Sequence, residues 1–425
     1  MRCAQGTGVT ARSEACQPGE PDPCFRYYAR QPILGAQGTL YAYELLFRRG
    51  PEENFFRGNL EQATNTTLDN AVLYGLERMT GGALAFINCT AEALTGQLVE
   101  VLPPNLTVLE ILETVDPTPE LIAACHRLKA HGFRLALDDF NWKPGIDPLI
   151  KIANYIKIDF KQFNSAERRA VTERFRDRHV KLIAEKVETG EEFEQARKEG
   201  FTLFQGYYFC RPVLIENRDI PPNRLTQLRL LQQLHAPEFD VRKIAALVQQ
   251  DAAITYRLLR LVNSPIYMLR SDISSVRDAL FLVGETAFRR VATLAIASSL
   301  NVGQPAEILR MALIRARFCE LAASRAGLRP DEQLLLGLFS LLPAMLRMPM
   351  DVAIADLALP VGIQRALVGE QIPERELLRW IEASEQGDWP LCHQIQTSQS
   401  IDEEVLGRCS FEAVEWAEAN LRLIH

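Results

Sequence analysis

Histidine is scarce in this chain, and basic excess is missing. Six histidines stand far apart in 425 residues, so a histidine-built metal centre is not expected. The nine cysteines form no C-x-x-C pair and no cluster with histidine, which argues against a zinc site and fits the reduced thiols of a cytoplasmic protein. With 47 lysines and arginines against 54 acids, the net charge is −7, too negative for a protein that neutralises a nucleic-acid polymer. A small anionic ligand in a locally positive pocket stays open. No apolar run reaches the roughly 18 residues that cross a bilayer, and the apolar stretch 279–299 is broken by Arg289 and Arg290, so no membrane span is expected. Residues 1–24 are polar, with no apolar core of a secretory signal, and read as a disordered leader.

What is present is an ordinary globular composition, 47% hydrophobic and 24% charged, long enough for two domains. Over 25–215, short apolar runs alternate with amphipathic stretches. The runs are RYYARQPIL, LYAYELLF, ALAFINC, LTVLEIL, FRLALDDF, YIKIDF, VKLIAEKV and TLFQGYYF. Between them, TPELIAACHRLKAHG places Leu121, Ile122, Cys125 and Leu128 on one helical face, and SAERRAVTERFRDR opens at Ser165, read as its cap. Continuous apolar strands alternating with helices imply a mostly parallel sheet covered on both faces: a closed α/β TIM-like barrel, with an open doubly wound sheet as the alternative. Residues 212–225 carry paired prolines and charges and read as a junction. Beyond it strand signals vanish, and 222–425 reads as an all-α domain. There Asp240 is read as a cap, a helix stops at Asn263-Ser264-Pro265, and a long apolar helical region is interrupted at Gly284.

Polar residues sit at the ends of these strands in series. Glu44, Asn88, Glu110, Asp138, Asp139, Lys157, Glu185, Glu188 and Gln205 all do so. The C-terminal ends of parallel strands are where barrel enzymes place their chemistry. Oxygen donors of this kind suit Mg2+ or Mn2+, and two such ions about 4 Å apart clamp a phosphodiester for in-line attack by water. Glu44, Asn88, Glu110, Asp138 and Asp139 supply the oxygens. Lys157 is placed to neutralise a phosphate or position the water. Glu185 and Glu188, three apart, suit a base and its supporting ligand. Taken singly, each has a plainer reading: a solvated strand end, a turn former, a cap or a surface ion pair. Trp142 reads as loop packing or as a lid.

Taken in order, the motifs YELLFR, INCT, LEILE, LDDF, IKID, AEKVE and QGYYFCRP make residues 27–212 resemble the EAL family of cyclic di-GMP phosphodiesterases. The resemblance implies a metal-dependent hydrolysis of cyclic di-GMP to pGpG. It makes Glu44, Asn88, Glu110, Asp138 and Asp139 metal ligands, Lys157 the catalytic lysine and Glu185 the general base. Arg48 matches the arginine that holds a ligand phosphate, Gln205 and Glu188 the remaining ligand positions, and Glu113 the glutamate that steadies the loop over the metals. Two departures stand out. The family's D-D-F-G-x-G loop reads DDFNWKPGID here, and AEGVE reads AEKVE at Lys186. Residues 223–425 resemble the HDOD domain, on QDAAITYRLLRLVNSPIY and SSVRDALFLVGETAFRRV. No histidine is followed by aspartate anywhere in the chain, so this half is expected to be non-catalytic and to bind a protein partner. The resemblance leaves a homodimer open. It also leaves open, beside the enzyme, a cyclic di-GMP receptor or protein scaffold that no longer hydrolyses the nucleotide.

Overall fold

A computed structural model of the chain describes residues 27–48, 75–96, 98–176, 179–209, 222–234, 244, 247–249, 251–264, 273–355, 357 and 359–424. The expected leader, Asp240 and the side chain of Arg48 lie outside the described residues.

Eight strands close in chain order: β1 (Tyr27–Gly35), β2 (Leu40–Arg48), β3 (Leu84–Cys89), β4 (Thr107–Ile111), β5 (Arg134–Leu137), β6 (Tyr155–Asp159), β7 (Lys181–Glu185) and β8 (Leu203–Gln205). β1 runs antiparallel to both β2 and β8, and the remaining pairings are parallel. The β1–β8 pairing closes the ring, which rules out the open sheet. Two expected strands are shorter than the apolar runs suggest: β5 ends before Asp138, and β8 spans three residues of TLFQGYYF.

Period-two alternation builds the interior. Ile33, Ala42, Phe86, Val108, Ala136, Tyr155, Ile183 and Leu203, one from each strand, pack together as an apolar plug. Two residues further along β2 to β8, the same inward face carries Glu44, Asn88, Glu110, Asp138, Lys157, Glu185 and Gln205. On β1, which runs the other way, the matching step back from Ile33 reaches Gln31. A polar ring therefore lies directly on the plug. The outward faces meet the helices, and β4 and β6 are buried at every position.

The barrel helices include α1 (Leu76–Thr80), α2 (Ala91–Thr95), α3 (Pro119–Ala130), α4 (Asp147–Ile152), α5 (Ser165–Phe175) and α6 (Gly190–Glu199). In α3, Thr118 caps the first turn and Leu121, Cys125 and Leu128 face the core. The cap of α5 is Asn164, one residue before the expected Ser165: its side chain accepts from Ala166 N and Glu167 N, and Glu167 reaches back to close a capping box.

The second half is helical. It runs through α7 (Pro222–Leu234), α8 (Ala252–Val262), α9 (Val276–Val283), α10 (Glu285–Leu300), α11 (Ala306–Ala323), α12 (Pro330–Phe339), α13 (Leu342–Leu346), α14 (Met350–Ile354), α15 (Val361–Leu367), α16 (Glu376–Gln386), α17 (Trp389–Gln399) and α18 (Glu403–Ile424). Asn263 ends α8, and Gly284 separates α9 from α10, both as read from the sequence.

A buried polar junction fixes this half against β1 and β2. The Tyr43 hydroxyl donates to Glu307 at 2.9 Å. Arg310 bridges Glu307 at 2.7 Å and Glu418 at 3.0 Å. Arg30 also bonds Glu418 at 3.0 Å and lies over the Tyr43 ring, 4.5 Å from its centroid. Two guanidiniums balance two carboxylates here, and breaking one buried partner strands its neighbour. Burial pushes the Tyr43 phenol well up, so it stays a donor. The junction specifies one register between the halves, and Tyr43 precedes Glu44 in the chain.

Candidate active site

Lys157 is the centre of the polar ring. It is 1% exposed, and its ammonium lies 2.8 Å from Glu110, Asp138 and Glu185 and 3.1 Å from Glu44. An ammonium has three donors, so four carboxylates over-supply it. Gln205 donates to Glu44 at 2.7 Å and to Gln31 at 2.9 Å, and Asn88 donates to Glu44 at 3.1 Å. Four of the expected residues are thus brought onto one lysine, itself expected, with Asn88 and Gln205 behind them.

Burial sets the titration of these groups. It pushes the Glu185 carboxyl up to about 8, against the pull of Lys157. Burial, with Glu44 and Asp138 nearby, also raises Glu110 well above its ordinary value despite Lys157. Burial also pushes up on Glu44, yet Lys157 and the Gln205 and Asn88 amides outweigh it and hold Glu44 below its ordinary value. Burial pulls Lys157 down, and the surrounding carboxylates reverse that, so the ammonium stays charged.

A second acidic group lies beside the first. Asp159, only 3% exposed, accepts from Lys161 N at 2.8 Å and meets the Lys186 ammonium at 2.5 Å. Lys186 also stands 3.9 Å from Asp139. Asp139 (φ 36°) and Lys186 (φ 56°) both adopt left-handed backbone, a strained choice for side-chain-bearing residues that clusters at functional sites. Glu188 pairs with Lys161 at the rim.

Glu44, Asp138, Asp139, Lys157, Glu185, Lys186, Glu188 and Gln205 line a cavity of about 350 Å3, together with Gln31, Gly206, Tyr207 and Gln386 of α16. Glu113 is not part of it. Its side chain is exposed, and its backbone carbonyl accepts from Lys143 at 2.9 Å. Lys143 also donates to the Val115 carbonyl at 2.6 Å, so a lysine rather than a glycine pins the altered loop. Trp142 stacks on Phe175, centroids 6.1 Å apart, and the Arg174 guanidinium lies over its ring, 3.9 Å from the centroid, so the ring packs against α5.

Sequence reasoning missed Asp159, Gln31 and Gln386, and marked Lys186 only as a departure from the family's pattern. Asp159 had a signal, since it lies two residues after Lys157 on the same strand face. Gln386 had none, because its place depends on how the halves dock.

Among the described residues, no three acidic, histidine or cysteine side chains already stand at metal-ligating spacing. Lys157 stands between the carboxylates instead. The donor set nonetheless fits a hard divalent cation. Four carboxylates face one ammonium, Glu110 Oε2 and Asp139 Oδ1 are buried without a hydrogen-bond donor, and every candidate ligand is oxygen.

Gly206 holds the wall of this cavity. Its φ is 142°, and a Cβ there would lie 2.1 Å from the Val187 carbonyl oxygen. Val187 N bonds Gln205 O at 3.1 Å and Tyr208 N bonds Val187 O at 3.2 Å, so the backbone cannot retreat cheaply. Gly206→Ala is expected to cost about 2–3 kcal/mol, read as a lowered melting temperature. An unchanged melting temperature would contradict this close approach.

The EAL domain model matches residues 86–212, and the HDOD domain model matches residues 220–346. The cyclic di-GMP phosphodiesterase CdgJ of Vibrio cholerae is 34% identical over 418 residues, covering 96% of this chain and 96% of that protein. This chain belongs to the EAL–HDOD family. The uncharacterized protein YuxH of Bacillus subtilis is 32% identical to this EAL–HDOD chain over 403 residues, 92% of this chain and 97% of the relative. Among solved structures, the PaMucR phosphodiesterase in complex with cyclic di-GMP is 22% identical, with a TM-score of 0.38 over 47% of this chain and 99% of its own. Among the described residues, no helix of this EAL–HDOD chain is long and apolar enough to cross a membrane.

Proposed function

We propose that the barrel binds cyclic di-GMP and hydrolyses one of its phosphodiester bonds to give linear pGpG, in the cytoplasm. The observation that carries this reading is the polar ring: every strand delivers a hydrogen-bonding or ionic side chain onto the same apolar plug, and four carboxylates converge on Lys157. Glu44, Asn88, Glu110, Asp138 and Asp139 are the residues that would hold Mg2+ or Mn2+, which when bound polarises the phosphodiester and acidifies water. Glu185 accepts the proton of the attacking water. Lys157 holds Glu185 in place and offsets the charge of the phosphate. Arg48, Gln205 and Glu188 are assigned to the ligand, and Glu113 to the loop. The helical half is assigned to a protein partner, and Phe281 and Leu282, both well exposed on α9, suit such a contact.

The CdgJ relative, named a cyclic di-GMP phosphodiesterase, supports the choice of substrate. The test is incubation of the purified protein with cyclic di-GMP and Mg2+ or Mn2+. Linear pGpG is expected to accumulate, and a chelator to stop it. A second reading, a cyclic di-GMP receptor without hydrolysis, is favoured by Lys186. Its ammonium already neutralises Asp159 and stands near Asp139, where a cation would be wanted. Tight binding with no pGpG at any metal concentration would select that reading.

A further inference from the structure

We propose that the helical half completes the nucleotide site: Gln386, at the end of α16, contacts a base of the bound cyclic dinucleotide. This deepens the function proposed above and rests on it. Three observations place Gln386. It lines the same cavity as Glu44, Asp138, Lys157 and Glu185, though it comes from the other half of the chain. It is exposed, and among the described residues its amide is committed to no hydrogen bond, so a ligand can take it.

The third observation is that its position is fixed from both sides. Behind it, Arg315 grips the adjacent Glu385 through two bonds, at 2.9 and 2.6 Å, in a buried fork. Ahead of it, Gly387 turns the chain with φ 71°, and a Cβ there would lie 3.1 Å from Leu46 Cδ1 on β2. That is the strand that carries Glu44. The Tyr43–Glu307 and Arg30–Glu418 bonds then hold the whole helical half to β1 and β2. A residue positioned this firmly contributes to affinity without a large ordering cost.

The chemistry of the side chain selects what it meets. Carboxylates and ammoniums line the barrel part of the cavity, suited to cations and phosphate. Gln386 brings a neutral amide with two donors and one acceptor, which complements the edge of a purine base. It is the only group the helical half contributes to the lining of this cavity among the described residues.

The test uses the full-length Glu185→Gln protein, which is expected to hold cyclic di-GMP without cleaving it. Isothermal titration with cyclic di-GMP in Mg2+ measures affinity before and after a second change at position 386. Gln386→Ala is expected to weaken binding about fivefold, the loss of one hydrogen bond. Gln386→Glu, which adds a negative charge facing an anionic ligand, is expected to weaken it further. In the otherwise wild-type chain, Gln386→Ala is expected to raise KM and leave kcat unchanged. The melting temperature is expected to stay constant, because the side chain is exposed. Equal affinity in all three proteins overturns the contribution of the helical half and leaves the barrel reading standing. A fall in affinity matched by a fall in melting temperature also overturns it, since the effect is then structural. If the parent binds no cyclic di-GMP at all, the function proposed for the barrel fails, and this inference fails with it.

Discussion

Glu185→Gln is expected to lower the rate of cyclic di-GMP cleavage by about 10^3-fold while leaving nucleotide binding within a few-fold of wild type. Glutamine keeps the size and the hydrogen-bonding of the carboxyl but cannot accept a proton from water, and general-base groups contribute on this scale. The same substitution has a second readout that does not depend on catalysis. Burial raises the Glu185 carboxyl from its ordinary 4.5 to about 8. Between those values the folded protein keeps a proton that the unfolded chain has lost. The stability from this group is complete below about 4.5 and is lost as pH rises through about 8. Glutamine carries no such dependence. In chelator, the variant is therefore expected to lie close to wild type near pH 5 and to exceed it by up to about 5 kcal/mol at pH 9. Thermal melts across pH check this. Parallel stability curves would show that Glu185 is not buried against its charge, and undiminished turnover would remove it from the reaction.

The barrel was legible because its two periodicities survive in the sequence. Apolar runs mark the strands, and on strand after strand a polar residue follows two places after a plug residue, as in Ala42-x-Glu44, Val108-x-Glu110 and Ile183-x-Glu185. That pattern is local, so one chain is enough to see it. The cap of α5 was misplaced by one residue, because Asn164 and Ser165 are both good caps and only Glu167 three places on decides between them. The role of Lys186 could not be read either. The sequence shows a lysine where the resemblance expects glycine, but not that the backbone keeps a left-handed turn there and aims the ammonium at Asp159. The docking of the halves was invisible for a different reason. Tyr43 lies 264 residues from its partner Glu307 and Arg30 lies 388 from Glu418, and nothing near any of them marks its partner. Long-range polar junctions carry no period.

Lys157→Met tests the ring as a whole. Methionine fills the same buried space but removes the one positive charge that Glu44, Glu110, Asp138 and Glu185 share. Stranding buried carboxylates in this way costs about 3–5 kcal/mol. The loss is expected in chelator at pH 8, seen as a melting temperature lower by roughly 10 °C. Two treatments are expected to restore much of it. Acid does so because the carboxylates, already pushed up by burial at Glu110 and Glu185, take up protons instead of bearing unpaired charge. Millimolar Mn2+ does so because a divalent cation replaces the missing ammonium and binds only the folded ring. Turnover is expected to stay abolished under all conditions, since the cation restores charge balance but not the group that orients Glu185. A variant as stable as wild type in chelator at pH 8 would mean that the four carboxylates do not depend on Lys157, and that their convergence on one ammonium is not what holds the site together.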